Sequence, residues 1–364
     1  MDYARRVYLL QEQIKSRDVD ALVISGPGNR VYLSGFGSAD PASAGSNELI
    51  LISPDRCAFI TSNLYFEAAK CQIHHMEVLL APVRSLETLT ELLVEWGAKT
   101  AGFESTHITV SQLTALSEAG TATRFTPMDG IVEGLRAVKD EDELDRIGAA
   151  VKLTDQAFEY VKGILRPGLT EKEVAWQIER YLRENGAEGV AFAPAVASGP
   201  NSAVPHHEPS DRQINAGEPI WLDLGARLDG YCADLTRMLC LGNPSERLRE
   251  TVGLVGRALD EAEAKVKPGV DGKQADAIAR DIFTEARCGD AFIHSLGHGL
   301  GIDIHEAPRL SRFFEDELKA RAVVTIEPGI YFPGWGGVRI EDTVAMVEDG
   351  IEILTGAPKD WIID

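Results

Sequence analysis

Apolar residues recur along the first third of the chain with two different spacings. Helical spacing covers residues 3–17 and 85–96. Short apolar runs typical of buried strands cover residues 20–25 and both halves of ELILISPDRCAFIT, which meet at Pro54-Asp55. The GPGN sequence at 26–29 predicts a turn. This alternation of helices and strands predicts an α/β domain over residues 1–128.

A charge-rich segment separates this domain from the rest of the chain. The sequence GIVEGLRAVKDEDELDRI predicts a linker over residues 129–144 that runs into the first helix of the next domain. Residues 145–364 are predicted to form that second domain. The total of 364 residues fits two domains better than one.

The second domain contains an internal repeat. RPGLTEKEVAWQIERYLRENG starts at Arg166 and KPGVDGKQADAIARDIFTEARCG starts at Lys267, an offset of 101 residues. Gly186 and Gly289 are predicted to end the two helices. Each helix start carries a capping box, Thr170 with Glu173 in the first copy and Asp271 with Gln274 in the second.

A hairpin that carries two aspartates follows the first copy. Asp229-Gly230 is a strong signal for a two-residue turn between alternating strands. That turn places Asp223 opposite Thr236 and diagonal to Asp234 on the same sheet face, with backbones roughly 7–8 Å apart. Two such carboxylates between strands rich in Leu, Trp and Ile repel each other unless a cation lies between them. A solvent-exposed face is the alternative interpretation.

A second acidic hairpin follows the second copy. Residues 323–327 predict a strand that Pro328-Gly329 ends, and residues 337–347 predict the returning strand. Glu327 and Glu341 each adjoin an isoleucine on these apolar strands. A lone glutamate at a strand end is usually solvated. Two glutamates in the second hairpin, matching two aspartates in the first, indicate that the four acids share a site.

Three histidines lie in HSLGHGLGIDIHE, residues 294–306. His294 and His298 have the spacing with which two histidines on one helix bind zinc. The glycines at 297, 299 and 301 disfavour a helix, and the alternation over 301–305 is typical of a strand. We therefore expect an extended segment in which one histidine is a metal ligand and another faces the substrate.

The four acids and one imidazole suit two divalent cations. Two cations neutralise four carboxylates, and an oxygen-rich shell with one nitrogen favours manganese, cobalt or zinc. Two metals about 3.5–4 Å apart can hold a bridging water as hydroxide and polarise a carbonyl.

Composition narrows the classes of partner and compartment. The formal charge of −21 repels phosphate, so we expect neither nucleic acid nor an anionic membrane as a partner. The first twenty residues lack a signal-peptide core, and no uncharged apolar run approaches about 18 residues. Five cysteines without CxxC spacing indicate reduced thiols in a cytoplasm. Cys232 is predicted to be a small buried apolar residue.

Five motifs resemble, in order, those of the "pita-bread" metallopeptidases, which include methionine aminopeptidase, aminopeptidase P and prolidase. The motifs are ASGPNSAVPHHEP, DLGARLDGYCADLTR, HSLGHGLGIDIHE, TIEPGIY and GGVRIEDT. Residues 1–128 resemble more loosely the creatinase-type N-terminal domain of the prolidase and aminopeptidase P branch. The resemblance implies an α/β (α+β) fold, with a creatinase-like N-terminal domain before a pita-bread catalytic domain of pseudo-two-fold symmetry.

The resemblance also implies the roles of the metal ligands. Asp223 would bind one metal and His298 the other, while Asp234 and Glu341 would contact both. Glu327 would bind the second metal and move the proton of the bridging water. Two divalent ions per chain are expected, manganese first, with cobalt or zinc as alternatives.

Other residues match the substrate side of the family. His206 would help to stabilise the tetrahedral intermediate, and His305 would be the second catalytic histidine on the substrate side. Phe192 and Ile304 would form the apolar wall around a proline ring. Arg309 and Arg339 are the candidate cations for substrate binding, Arg309 for the proline carboxylate and Arg339 with a default role in supporting the ligands. His207 is expected at the surface, and His294 behind the ligands or in a structural role.

The expected reaction is hydrolysis of Xaa-Pro bonds in short proline-containing peptides by a hydroxide held between two metal ions. An Xaa-Pro dipeptidase (prolidase) is favoured, and an Xaa-Pro aminopeptidase is the alternative. A catalytically inactive binding module and a creatinase-like amidinohydrolase are disfavoured because the five ligands are intact. A methionine aminopeptidase is disfavoured by the N-terminal domain. The resemblance implies a homodimer.

Overall fold

The computed structural model describes residues 1–37, 48–82, 85–119 and 122–363. The chain divides into two compact units, Met1–Arg136 and Ala137–Asp364. This division falls inside residues 129–144, where the sequence predicts a linker and the structure has a short helix and the start of a long one. In the described ranges, no helix combines the length and apolar character needed to span a membrane.

The described residues of the first unit form a six-stranded mixed sheet and several helices. Its strands are β1 Ala21–Ile24, β2 Leu49–Ile52, β3 Cys57–Thr61, β4 Glu77–Leu80, β5 Thr100–Phe103 and β6 Arg124–Pro127. Its helices are α1 Tyr3–Lys15, α2 Pro27–Ser34, α3 Phe66–Gln72, α4 Ser85–Glu95, α5 Val110–Glu118 and α6 Ile131–Arg136. The strand order is β4-β3-β2-β1-β5-β6. The predicted helices α1 and α4, the strand β1 and the β2–β3 hairpin are confirmed.

The turn predicted at GPGN is wrong, because Pro27 begins helix α2. Gly26 is the extended N-cap, and Pro27 stands in the first turn, where its fixed φ suits a helix and its missing N–H costs no bond. The buried carboxylate of Glu104 binds this helix start, since its Oε2 accepts from the Ser25 and Gly26 amides at 2.6 Å each.

The second unit contains four further helices and several small sheets. The helices are α7 Glu141–Ile164, α8 Glu171–Glu184, α9 Glu246–Lys265 and α10 Gly272–Glu285. The first half contributes β7 Gly189–Val190, β8 Ala195–Ser198, β9 Ile220–Leu224, β10 Ala226–Leu228, β11 Tyr231–Cys232 and β12 Leu235–Leu241. The second half contributes β13 Gly297–Gly299, β14 Glu306–Leu310, β15 Val323–Ile326, β16 Gly329–Phe332, β17 Gly336–Arg339, β18 Asp342–Val347, β19 Gly350–Ile353 and β20 Ile362–Ile363.

The predicted internal repeat is present as two similar layers. Apolar residues of α7 and α8 pack on the sheet β20-β12-β9-β8, and those of α9 and α10 pack on the sheet β14-β13-β15-β18-β19. Both predicted capping boxes are formed. The two N-cap residues even make equivalent bridges, Thr170 to Gln213 and Asp271 to Glu317.

The two helix ends differ from each other. Gly186 follows α8 with a φ of 105°, a conformation that glycine adopts without strain. After α10 the left-handed residue is Arg287, with a φ of 60°, and Gly289 starts a short 3₁₀ helix. The prediction that Gly289 ends the helix is therefore wrong.

The first acidic hairpin has the predicted register. Leu228 pairs with Tyr231 and Asp223 pairs with Thr236. The turn residues Asp229 and Gly230 have φ values of 49° and 80°, as a type I′ turn requires. The hairpin is interrupted at Gly225, where a Cβ would lie 2.0 Å from the carbonyl oxygen of Ala233. A side chain at position 225 would therefore not fit.

The second acidic hairpin extends beyond its predicted end. Strands β16 and β17 continue the register of β15 and β18, with Ile326 opposite Asp342 and Gly329 opposite Arg339. Pro328 has no N–H to donate, so it interrupts the ladder without ending it. Glu327 and Glu341 lie in this interruption.

The histidine segment is extended around His298, as predicted, since that residue is the middle of β13. The strand predicted over 301–305 is wrong, because these residues form consecutive bends. The Gly301 amide donates to the Asp303 carbonyl at 3.1 Å, and the Asp303 amide donates to Glu306 Oε1 at 3.0 Å. These local bonds replace a strand ladder, and extended chain resumes at β14.

Candidate metal centre

The five predicted ligands lie together where the two hairpins are interrupted. Ligand oxygens of Asp223, Asp234 and Glu341 all lie within 4.8 Å of one another. The Nε2 atom of His298 is 3.5 Å from Asp234 Oδ2 and 3.4 Å from Glu327 Oε1. Asp234, His298 and Glu341 are buried, while Asp223 and Glu327 retain some exposure.

The orientation of His298 suits a ligand that binds through Nε2. Its Nδ1 is 3.0 Å from the Gly299 carbonyl, which can only accept, so Nδ1 carries the hydrogen and Nε2 keeps its lone pair. Its backbone amide donates to Thr325 Oγ1 at 3.0 Å. Burial, followed by the neighbouring His305, lowers the pKa of His298 to about 3, so the imidazole is neutral at pH 7.

The carboxylates are held at an electrostatic cost. Burial, followed by repulsion from Glu341, Asp223 and Glu327, raises the pKa of Asp234 well above its usual value. Burial, followed by Glu327 and Asp223, does the same to the pKa of Glu341. Burial also raises the pKa of Glu327 to about 7, against the opposing influence of Arg339. Positive charge placed among the four carboxylates stabilises such a cluster.

Unpartnered atoms show where that charge fits. Asp223 Oδ1 and Glu341 Oε1 are both buried and neither has a hydrogen-bond partner. Buried carboxylate oxygens without a partner are costly in a folded protein. Because both belong to the cluster of three acids, the donor set fits divalent cations bound mainly by oxygen.

Arg339 is buried and holds Asp223. It is 4% exposed, and Nη2 donates to Asp223 Oδ2 at 2.6 Å. Its Nε donates to Thr236 Oγ1 at 3.0 Å, and its Nη1 donates to the Tyr331 hydroxyl at 2.8 Å and the Pro205 carbonyl at 3.3 Å. All three nitrogens are engaged within the protein, which fits the expected role of Arg339 in supporting the ligands, while its substrate-binding role stays a prediction.

His294 lies behind the ligands at the end of this chain of bonds. Its Nδ1 donates to the Ser295 carbonyl at 2.8 Å, so Nε2 accepts from the Tyr331 hydroxyl at 3.0 Å. Burial, with Arg339 second, lowers the pKa of His294 to about 4. The order of contacts is therefore His294, Tyr331, Arg339 and Asp223.

His206 and His207 occupy different surroundings. His206 is exposed, and it lies close enough to Asp223 and His305 to affect the pKa of both. His207, expected at the surface, is instead partly buried, with its Nε2 2.8 Å from Glu171 Oε2. The surface prediction for His207 is wrong because Glu171 provides a buried acceptor.

The bends over 301–305 place the other substrate-side candidates. The rings of His305 and His298 meet edge to face with centroids 4.4 Å apart. Arg309 is exposed on β14, opposite His298 in the β13–β14 register. Ile304 is half-buried.

Phe192 is half-buried and lies beside the interruption of the first hairpin. Its ring comes within 2.9 Å of where a Cβ on Gly225 would lie. Gly225 therefore leaves room for the Phe192 ring, and Gly225 is only two residues after Asp223 in the sequence.

A buried ion pair anchors the bends. Lys139 Nζ is 3.1 Å from Glu306 Oε2, and the two side chains are 1% and 5% exposed. Arg321 holds the backbone of Lys139, because Nε of Arg321 donates to the Lys139 carbonyl at 2.7 Å. Gly301 gives this carboxylate space, since a Cβ there would lie 2.8 Å from Glu306 Oε2.

The sequence interpretation missed several residues that position the site. Thr236 donates to Glu341 Oε2 at 2.7 Å and accepts from Arg339. Tyr331 links Arg339 to His294. Lys139 binds Glu306, next to His305, and Glu171 binds His207, next to His206. Tyr331 belongs to TIEPGIY and could have been marked by its motif. The partners of Lys139 and Glu171 are too distant along the chain to be inferred from pattern.

Comparison with known proteins agrees with this geometry. Residues 145–348 match metallopeptidase family M24, and residues 6–138 match the creatinase/prolidase N-terminal domain. The chain belongs to metallopeptidase family M24. The chain is 36% identical to the Xaa-Pro dipeptidase of Pyrococcus furiosus over 356 residues, which cover 97% of this chain and 99% of that relative.

Solved structures of similar sequence match nearly the whole chain. An Xaa-Pro dipeptidase from Bacillus anthracis superposes with a TM-score of 0.93 at 35% identity, covering 99% of this chain and 100% of that one. An X-Pro aminopeptidase from Thermotoga maritima superposes with a TM-score of 0.86 at 36% identity, covering 96% and 99%. The M24 enzyme described here therefore has the pita-bread fold with a creatinase-type N-terminal domain.

Proposed function

We propose that this M24 enzyme is a metal-dependent Xaa-Pro dipeptidase. The observation that carries the proposal is the convergence of four acids and His298 at the two hairpin interruptions. It is supported by full-length similarity to proteins named Xaa-Pro dipeptidase.

The proposed metal site takes two divalent ions per chain. Asp223 would hold one ion, His298 and Glu327 would hold the other, and Asp234 and Glu341 would serve both. Manganese is our first choice because the donors are mostly hard oxygens, and cobalt or zinc would also suit them. When bound, the cations supply the positive charge that polarises the scissile carbonyl and acidifies the attacking water.

The side chains around this site then handle charge and protons. Glu327, next to His298, takes the proton of the attacking water and passes it to the departing nitrogen. His206 and His305 stand on the substrate side and donate hydrogen bonds as negative charge develops on the carbonyl oxygen. Arg339 keeps Asp223 in place through its 2.6 Å bond throughout.

Recognition of proline follows from its chemistry. The Xaa-Pro bond is a tertiary amide without an N–H, so the site gains nothing from a hydrogen-bond acceptor for that group. Phe192 and Ile304 would provide the apolar wall for the pyrrolidine ring. Arg309 would bind the free proline carboxylate through paired hydrogen bonds, for which a guanidinium is well shaped.

An Xaa-Pro aminopeptidase is the second candidate, because the Thermotoga maritima neighbour carries that name at similar identity. Assays of manganese-loaded protein on Ala-Pro, Ala-Pro-Ala and Ala-Ala separate the two. A dipeptidase cleaves Ala-Pro well above the others. Cleavage of Ala-Pro-Ala at a comparable or higher rate would overturn the dipeptidase assignment.

The proposed setting is a cytoplasm, and the proposed assembly is a homodimer. All five cysteines are free, which suits a reducing compartment. Cys232 is fully buried, as predicted, and burial raises its pKa to about 12, so its thiol is unreactive. The homodimer is supported by the family resemblance.

A further inference from the structure

A single buried carboxylate binds the loop that carries His206. This loop, residues 198–210, begins at the last residue of β8 and is called the His206 loop below. Glu171 is the first residue of α8, and it is 0% exposed. Its carboxylate accepts from six donor groups in the loop, namely the amide and hydroxyl of Ser198, Asn201 Nδ2, His207 Nε2, and the amide and hydroxyl of Ser210.

His207 is the loop residue next to His206, and its ring takes part in this binding. Because a carboxylate only accepts, His207 Nε2 carries the hydrogen and donates to Glu171 Oε2 across 2.8 Å. The His207 side chain is 15% exposed. Burial opposes the ionisation of Glu171, but hydrogen bonds from Ser210, His207 and Ser198 hold its pKa below the usual value.

The residue on the other side of His206 is also held. The Pro205 carbonyl accepts from Arg339 Nη1 at 3.3 Å, and Arg339 is the residue that holds Asp223. Earlier in the loop, the Ser202 carbonyl accepts from Trp221 Nε1 at 2.9 Å and its hydroxyl accepts from the Gly337 amide at 2.9 Å. His206 itself is exposed, so its position depends on the fixed residues on either side of it.

We propose that Glu171 and His207 form a positioning pair that sets the imidazole of His206 relative to the metal centre. The importance of that position for catalysis rests on the proposed function, whereas the position itself does not. Displacement of a catalytic group by 1 Å can lower the rate about 100-fold. Loss of the contact between Glu171 and His207 would therefore lower the rate strongly if it let the His206 loop move.

Two substitutions separate positioning from bulk stability. His207→Leu removes the donor to Glu171, and His207→Gln keeps an N–H that can reach the same oxygen. His74→Leu is the matched control, because His74 is exposed in the first unit. If His207→Leu fails to fold, His207→Asn replaces it in the test. The Asn side chain is shorter, so its N–H lies too far from Glu171 to donate.

The kinetic test is a double-mutant cycle on metal-loaded protein with Ala-Pro. We expect His207→Leu to lower kcat about 10- to 100-fold with a nearly unchanged KM and the metal content of the wild type, and His207→Gln to restore most of the rate. In a His206→Ala background, His207→Leu should change kcat less than about 2-fold, since the residue it positions is absent. An equal loss in both backgrounds would overturn the proposal.

A structural test does not depend on activity. Crystal structures of the metal-loaded wild type and His207→Leu should differ by about 1 Å or more at the His206 imidazole, with the five ligands unmoved. An imidazole that stays in place would overturn the proposal. If the wild type failed to cleave any Xaa-Pro peptide, the proposed function would fall, and this comparison would still decide the positioning role.

Discussion

Arg339 donates to one oxygen of Asp223 at 2.6 Å, while the other oxygen of that carboxylate is buried without a hydrogen-bond partner. One oxygen of Asp223 is thus fixed by the protein and the other is left for a cation. In the proposed metal site, this division would make metal binding depend on Arg339, which is not itself a ligand.

Replacing Arg339 should therefore weaken metal binding. We expect Arg339→Met to lower manganese affinity about 10- to 100-fold, because a ligand that loses its outer hydrogen bond is no longer held in place. Titration against a chromophoric chelator measures the affinity. Arg309→Met is the control and should bind manganese as the wild type does, so an equal affinity for all three proteins would refute the role given to Arg339.

Removing one acid should have opposite effects on metal binding and on the stability of metal-free protein. Asp234→Asn should abolish tight binding of two ions, yet raise the unfolding free energy of the metal-free protein by about 1 kcal/mol or more, because repulsion among buried carboxylates is relieved. Calorimetry after chelation, with exposed Asp211→Asn as control, checks this. A less stable metal-free Asp234→Asn protein would show that the acids do not repel each other as described.

His294 should make the protein sensitive to mild acid. Its pKa lies at about 4 in the folded protein and near 6.5 in the unfolded chain, so the unfolded chain binds the proton first. Stability from this group is present above pH 6.5 and is lost as the pH falls towards 4, by up to about 3 kcal/mol. In His294→Phe, this part of the decline in unfolding free energy should be absent. Urea unfolding curves recorded at several pH values between 7 and 4 measure it. If the unfolding free energies of the wild type and His294→Phe fell equally between pH 7 and 4, a neutral, buried His294 would be contradicted.

The anchor of the 301–305 bends should show the energetics of a buried ion pair. Lys139→Met is expected to cost about 3–5 kcal/mol, because it removes the cation from a buried carboxylate, and Glu306→Gln in the same chain should recover most of the loss. Lys162→Met, whose partner Asp360 is 67% exposed, should cost at most about 1 kcal/mol. Urea unfolding measures all three variants. A loss in Lys139→Met no greater than in the control would rule out the anchor.

The features that were predictable from sequence are those set by local chemistry. Asp229-Gly230 fixes the turn, the turn fixes the register, and the register pairs Asp223 with Thr236. The capping boxes mark the starts of α8 and α10 in the same way.

The features that were not predictable depend on contacts between distant residues. An arginine on a strand looks alike in sequence whether it is buried or exposed, so the burial of Arg339 follows only from the fold. The partner of His207 is Glu171, 36 positions away, and that of Lys139 is Glu306, 167 positions away. At GPGN, Pro27 is as compatible with the first turn of a helix as with a reverse turn. The buried Glu104, which is distant in sequence, accepts from the amide of the N-cap residue Gly26 and so favours the helix start.

The proposed active site depends on two cations bound by five side chains. Anomalous diffraction from manganese-loaded crystals, recorded at the manganese edge, locates such ions directly. We predict two peaks per chain, about 3.5–4 Å apart, within bonding distance of Asp223, Asp234, His298, Glu327 and Glu341. Peaks elsewhere on the chain, or none among these five residues, would contradict the assignment.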